Sequence, residues 1–349
     1  MASAHVIGND ALVSHAFNGD GTQMVISVNT SDVYLVSVPS TPGGKYQVLD
    51  ILKGHTANVM GVDWAPKSNR IVSCSADRNA YVWTQQADGK WKPALVMLMA
   101  LDWWVSKRIK KQFKSTVTCL DWHPNNSVLA CGSSDFRVRV YSAFIQSGAQ
   151  ESEWGNHANL GSMLFEHYES EGGWVLSVAF SADGTKLVWA KHNSLFFVAD
   201  VSPSAGAAGG VKCGPAVVSC FRSDFLPFTS CLWVGPSTIV AAGYDCYPMA
   251  FRFSDEGIQY VHQLDVKSET KTAGKLTAMK KFQDIDRMAT TDNTGSRLQT
   301  VHQNCINELR IYKGSRGNAT CLSSIGRDGC LVFWDLPTLC KQISELTIS

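Results

Sequence analysis

The sequence predicts an all-β propeller built of repeated four-stranded blades, and three observations carry that prediction. Short β-type stretches separated by turn residues dominate the chain. Several of these stretches share one internal spacing. One connection near the end is far longer than the others, so the 349 residues read as a single repetitive unit, 1–349, with one insertion rather than as two ordinary domains.

The first unit is fitted through Phe17, Thr30 and Val36. The second runs through residues 61–66 (GVDWAP), 70–74 (RIVSC), Asp77 and 80–83 (AYVW). The third repeats that layout in 118–124, 128–131, Asp135 and 138–141, and the fourth, more degenerate, in 177–180, 186–189, Asn193 and 197–199. Trp233, Asp245 and Phe251 mark the fifth; Asp328 and Trp334 mark the last. Trp64 to Asp77, Trp122 to Asp135 and Phe180 to Asn193 are each 13 residues, and Trp233 to Asp245 is 12. From the turn residue to the third-strand end, Asp77–Trp83, Asp135–Tyr141, Asn193–Ala199, Asp245–Phe251 and Asp328–Trp334 are all six. Gly54-His55 and Trp334-Asp335 are the dipeptides of WD repeats, whose unit is a four-stranded blade of ~40–45 residues.

Those letters have a physical reason. A His before the first strand, a Ser or Thr on the second, an Asp in the following turn and a Trp on the third can satisfy one another's hydrogen bonds while buried. His55, Ser73, Asp77 and Trp83 form a complete set, and His302, Ser324, Asp328 and Trp334 can form another. The middle units keep only the Asp or Asn, so apolar packing between neighbouring sheets is expected to hold them.

Two irregularities interrupt the pattern. After Trp83, two outer-strand candidates, 90–98 and 102–109, stand back to back. A blade has one outer strand, so most of a blade is missing between them and six blades can be placed. Intervals between third-strand ends run 47, 58, 58 and 52, then jump to 83 before Trp334. The excess places an insertion at 266–300 between the last two blades. Its stretch 275–289 lacks proline and is rich in helix formers, predicting a short amphipathic helix with Leu276, Met279, Phe282, Ile285 and Met288 every three residues. Such a helix either folds back on its own blade or offers an apolar plug to a partner's groove, rimmed by Lys275, Lys280 and Lys281.

Composition excludes several classes. At 45% hydrophobic and 17% charged residues the chain can bury a sizeable core. With 31 Lys and Arg against 30 Asp and Glu, no global field steers it to nucleic acid or an anionic membrane. The longest apolar run, 94–101, is eight residues, so no membrane span is expected, and residues 1–5 lack the features of a secretory signal. Eleven scattered cysteines without a CxxC pair read as reduced, mostly buried thiols of a cytosolic protein. P-loop, HExxH, GxSxG and GxGxxG patterns are absent, and the nine histidines are not paired at metal-ligand spacing. Neither catalysis nor a cofactor is therefore expected. The cluster Lys107, Arg108, Lys110, Lys111 and Lys114, with Phe113 interleaved, has the chemistry of a contact patch for phosphates or an acidic protein. Its commoner meaning is a solvated sheet edge guarded by charge, and no nucleic acid is expected as partner.

Residues 63–66 (DWAP) through 77–83 (DRNAYVW), 115–126, 102–105 (DWWV), 142–145 (SAFI), 241–246 (AAGYDC) and 281–283 (KFQ) resemble the WD-repeat subunit, subunit 1, of the actin-related protein 2/3 complex. The likeness extends over nearly the whole chain. It implies a seven-bladed propeller in a seven-subunit assembly that nucleates actin filaments as branches, located in the cytoplasm and cytoskeleton. It further implies that Leu276, Met279, Phe282 and Ile285 contact actin and nucleation-promoting factors. The departure from the family is its third blade, which belongs between Leu98 and Asp102. The rival reading is a propeller adaptor that recruits substrates to another assembly, such as a ubiquitin ligase or an RNA-processing complex.

Overall fold

Runs of β-branched and aromatic residues bounded by Asn, Asp and Gly turns pair here into six four-stranded antiparallel sheets. The computed structural model describes residues 2–8, 10–39, 44–96, 115–143, 150–157, 159–202, 217–265 and 298–342. The first blade is β2 (Leu12–Phe17), β3 (Gln23–Val28), β4 (Val33–Ser37) and β5 (Val48–Leu52). The second is β6 (Val59–Ala65), β7 (Arg70–Ser75), β8 (Ala80–Gln85) and β9 (Trp91–Leu95). In the third, β10 (Val117–Trp122), β11 (Val128–Ser133) and β12 (Arg137–Ser142) are joined by β15 (Met163–Tyr168), after a small hairpin of β13 (Gln150–Ser152) and β14 (Gly155–His157). The fourth is β16 (Val175–Phe180), β17 (Lys186–Lys191), β18 (Leu195–Asp200) and β19 (Val217–Arg222). The fifth is β20 (Phe228–Trp233), β21 (Thr238–Gly243), β22 (Met249–Ser254) and β23 (Gly257–Gln263).

The sixth blade draws its strands from both ends of the chain. β24 (Ile306–Ser315), β25 (Asn318–Gly326) and β26 (Cys330–Asp335) are completed by β1 (Ala2–Val6), which pairs with β26 from Ala2 opposite Trp334 to Val6 opposite Cys330. A short helix, α1 (Leu336–Gln342), follows. The sequence reading located all six third strands: Val36, Trp83, Tyr141, Ala199, Phe251 and Trp334 each lie within one. The outer-strand candidate at 90–98 contains β9, whereas the one at 102–109 lies outside the described residues, as does 266–297 of the insertion.

The fixed spacing has a backbone cause. The residue after the turn Asp or Asn adopts a left-handed conformation in five blades, at Arg78, Phe136, Ser194, Cys246 and Gly329. In the second and sixth blades the Asp carboxylate accepts the N–H two residues on, from Asn79 at 2.8 Å and from Cys330 at 3.1 Å. At Gly329 the requirement is strict: φ is +71°, and a Cβ there would lie 2.0 Å from the Gly8 carbonyl oxygen.

Five apolar clusters join neighbouring blades. They link the sixth to the first around Leu12, Met24 and Ile325, and the first to the second around Val25, Trp64 and Trp83. They link the third to the fourth around Val140, Phe180 and Trp189, and the fourth to the fifth around Phe196, Phe228 and Phe251. The last, around Val240, Ala250 and Trp334, links the fifth to the sixth. Among the described residues none joins the second blade to the third. That boundary is a seam, at the place where the sequence lacks a blade.

Candidate functional site

Two buried polar sets assemble as four-residue chains. In the second blade, His55 Nδ1 lies 3.0 Å from Asp77 Oδ2 and its Nε2 lies 2.8 Å from Ser73 Oγ. Trp83 Nε1 donates to the same Ser73 oxygen at 2.9 Å. The Ser hydroxyl has one proton, so it accepts from Trp83 and donates to His55 Nε2; His55 Nδ1–H then donates to Asp77. Burial alone would raise the Asp77 carboxyl, but N–H donors from Thr56 and Asn79 and the His55 ring override it and hold the group at about 2. The sixth blade repeats the arrangement. His302 Nδ1 sits 3.1 Å from both Asp328 oxygens, His302 Nε2 is 2.8 Å from Ser324 Oγ, and Trp334 Nε1 donates to that hydroxyl at 2.8 Å.

The third blade corrects the expectation that middle units rely on apolar packing alone. Arg139 on β12 donates to Ser133 Oγ at 3.1 Å and to Asp135 Oδ2 at 2.7 Å. Arg137 pairs with Glu166. The sequence signal was present, since a basic residue four positions after the turn Asp can reach back to it.

A further network, unforeseen from sequence, joins three blades at the inner strands. Glu308 on β24 accepts the backbone N–H of His15 at 2.7 Å and lies 2.9 Å from His15 Nδ1, while His15 Nε2 is 2.7 Å from Ser323 Oγ. Arg310 pairs with Glu308 at 3.1 Å and crosses to Asp63 Oδ1 on β6 at 2.8 Å and to the Val62 carbonyl at 3.1 Å. Burial would raise the Glu308 carboxyl, yet Arg310 and His15 hold it at about 2. Burial pushes the His15 imidazole below its ordinary value, against the opposing pull of Glu308. No sequence spacing brings residues 15, 63, 308 and 310 together; only ring closure does.

The expected contact residues Leu276, Met279, Phe282 and Ile285, and the basic cluster Lys107, Arg108, Lys110, Lys111 and Lys114, lie outside the described residues. The flanks of the insertion are described, and they are tied together: Val301 N–H donates to Asp265 Oδ2 at 2.7 Å. Both flanks belong to the connection from the fifth blade's outer strand to β24. Among the described residues no group of three or more His, Cys, Asp or Glu can hold a metal ion, and no helix is long and apolar enough to cross a membrane. Of the ten described cysteines, four are buried and two, Cys74 and Cys220, are exposed.

Repeated blades with His–Ser–Asp–Trp sets define a WD-repeat propeller. The family description "WD domain, G-beta repeat" matches residues 46–84 and 106–142. Actin-related protein 2/3 complex subunit 1A-B of Xenopus laevis is 38% identical over 384 aligned positions, spanning 99% of this chain and all of the relative. Subunit 1 of Schizosaccharomyces pombe is 34% identical over 92% of this chain and 96% of its own length. Subunit 1 of Saccharomyces cerevisiae is 29% identical over 93% and 94%. The chain belongs to the actin-related protein 2/3 complex subunit 1 family. Against 349 residues here, the 384 positions of the Xenopus match leave at least 35 in that relative without a counterpart, close to one repeat of ~40–45.

Proposed function

We propose that this chain is a noncatalytic scaffold and actin-binding subunit of an actin-related protein 2/3 complex, supporting the nucleation of branched actin filaments in the cytoplasmic cytoskeleton. The observation that carries the reading is kinship with subunit 1 proteins over nearly the full chain. Its partners are then the other subunits of that complex, actin filaments and nucleation-promoting factors. In this reading the propeller supplies a rigid platform, and the insertion, pinned at its base by Asp265 and Val301, carries the contact through Leu276, Met279, Phe282 and Ile285. The basic cluster from Lys107 to Lys114 is proposed as a second patch for an acidic partner surface.

Affinity purification of the tagged chain, under conditions that preserve large assemblies, tests the proposal. Actin-related proteins are expected among the recovered partners. Recovery of a ubiquitin ligase or RNA-processing assembly in their place would overturn it. Replacing Leu276, Met279 and Phe282 together with Ser is expected to weaken branching in a pyrene-actin assay while leaving the melting temperature unchanged. A large drop in melting temperature would assign those side chains to a core instead.

A further inference from the structure

At five of the six blade boundaries an inner strand packs beside its neighbour, β2 with β6, β10 with β16, β16 with β20, β20 with β24 and β24 with β2. Among the described residues no comparable packing joins β6 to β10. The side chains that it would cover stand in solvent: Met60 is 59% exposed, Leu120 59% and Trp122 46%, with Val72 and Val117 close behind. The inner strands β2, β16 and β20 are mostly buried by comparison. A ring with such a seam needs something else to hold its two flanks in place.

The sixth blade supplies it. β24 and β25, at ten and nine residues, outlast every other described strand, which run three to seven. Their register shifts at Ile311/Lys313 and Lys313/Gly314, and Gly314, at φ +95°, packs against its partner strand where a Cβ would lie 2.3 Å from the Asn318 carbonyl oxygen. The hairpin therefore extends past its own sheet. Partway along it, Arg310 ties to Asp63 and the Val62 carbonyl on the second blade. At its tip, Arg316 forms a bidentate pair with Asp121 on the third blade, 2.6 Å to Oδ1 and 2.7 Å to Oδ2, and reaches the Trp122 and Phe180 carbonyls at 3.4 Å. Asp121 in turn accepts the Phe180 N–H at 2.8 Å, so the tie is anchored into the fourth blade as well. These two arginines reach the two blades that flank the seam, one each.

We propose that the β24–β25 hairpin is a strut spanning the ring, in which Arg310 and Arg316 fix the second and third blades and stand in for the contact that the absent blade would make. The seam is then a built-in hinge: its flanks are held by two polar ties rather than by a close-packed apolar face, and weakening either tie frees one flank alone. This inference concerns the ring itself and does not depend on which partners the chain binds.

Hydrogen exchange of the purified full chain tests it, with Arg316→Gln, Asp63→Asn and the double variant compared with the parent. Arg316→Gln is expected to speed exchange in β10 about tenfold, Asp63→Asn to speed β6 about threefold, and the double variant to speed both, with β20 and β21 unchanged as internal controls. Asp63 is 63% exposed on its side chain, so its variant folds even where Arg316→Gln does not. Rates in β6 and β10 within twofold of the parent overturn the proposal, as does acceleration spread evenly through all six blades.

Discussion

Replacing Ser324 with Ala removes one oxygen and strands two buried groups. Trp334 Nε1–H loses its acceptor at 2.8 Å and His302 Nε2 loses its donor at 2.8 Å, and both residues are fully buried. An unsatisfied buried polar group costs about 1–3 kcal/mol, so the pair predicts a loss of about 2–6 kcal/mol. Across a chain of 349 residues, an unfolding entropy of about 2.1 cal/mol/K per residue converts that into a melting temperature lower by about 3–8 °C. Differential scanning calorimetry and urea unfolding measure it, with Ser170→Ala, at an exposed hydroxyl, as the control. Adding Trp334→Phe removes the second partner, and because the two residues share one hydrogen bond, the double variant should fall short of the summed single losses. A shift below 1 °C for Ser324→Ala would refute the view that these sets hold the blade.

The remaining expectations concern charge, backbone and turns. Glu308 and Asp77 are both held at about 2 in the folded chain, below their ordinary values of 4.5 and 3.8, so their stabilisation is complete above those values and lost as pH falls from about 4.5 to 2. Melting temperature followed over that window should fall steeply, and Glu308→Gln should flatten the slope. Gly329→Ala forces a Cβ toward the Gly8 carbonyl at a left-handed backbone position and should cost about 1–3 kcal/mol, with faster amide exchange in β1 before any other strand. Unchanged exchange in β1 would detach that strand from the Gly329 turn.

Most of the propeller was legible because its rules are local. Turn Asp and Asn residues, alternating strands and the six-residue spacing all arise within a single blade, where neighbours in space are neighbours in sequence. The chain His55–Ser73–Asp77–Trp83 spans fewer than thirty residues and could be read from its letters. The pairing of β1 with β26 could not: Ala2–Val6 carries no blade lettering. Contacts such as His15 with Glu308, or Asp121 with Arg316, link residues about 200 to 300 positions apart and exist only once the ring has formed. Arg139 was a different failure, a polar partner present in the sequence but of a type that the repeat pattern does not name.

The sharing of the sixth blade between the two ends of the chain also sets a timetable. β1 is made before the other described strands, yet its partner β26 follows more than 320 residues later, a delay of on the order of 20–70 s at ~5–20 residues per second. For that interval an unpaired strand must avoid other edges. Its composition suits the wait: Ala-Ser-Ala-His-Val is short and weakly apolar, a poor template for pairing with strange chains. The sixth blade can therefore close only once β26 has emerged: a nascent chain that stops before Trp334 leaves β1 without a partner.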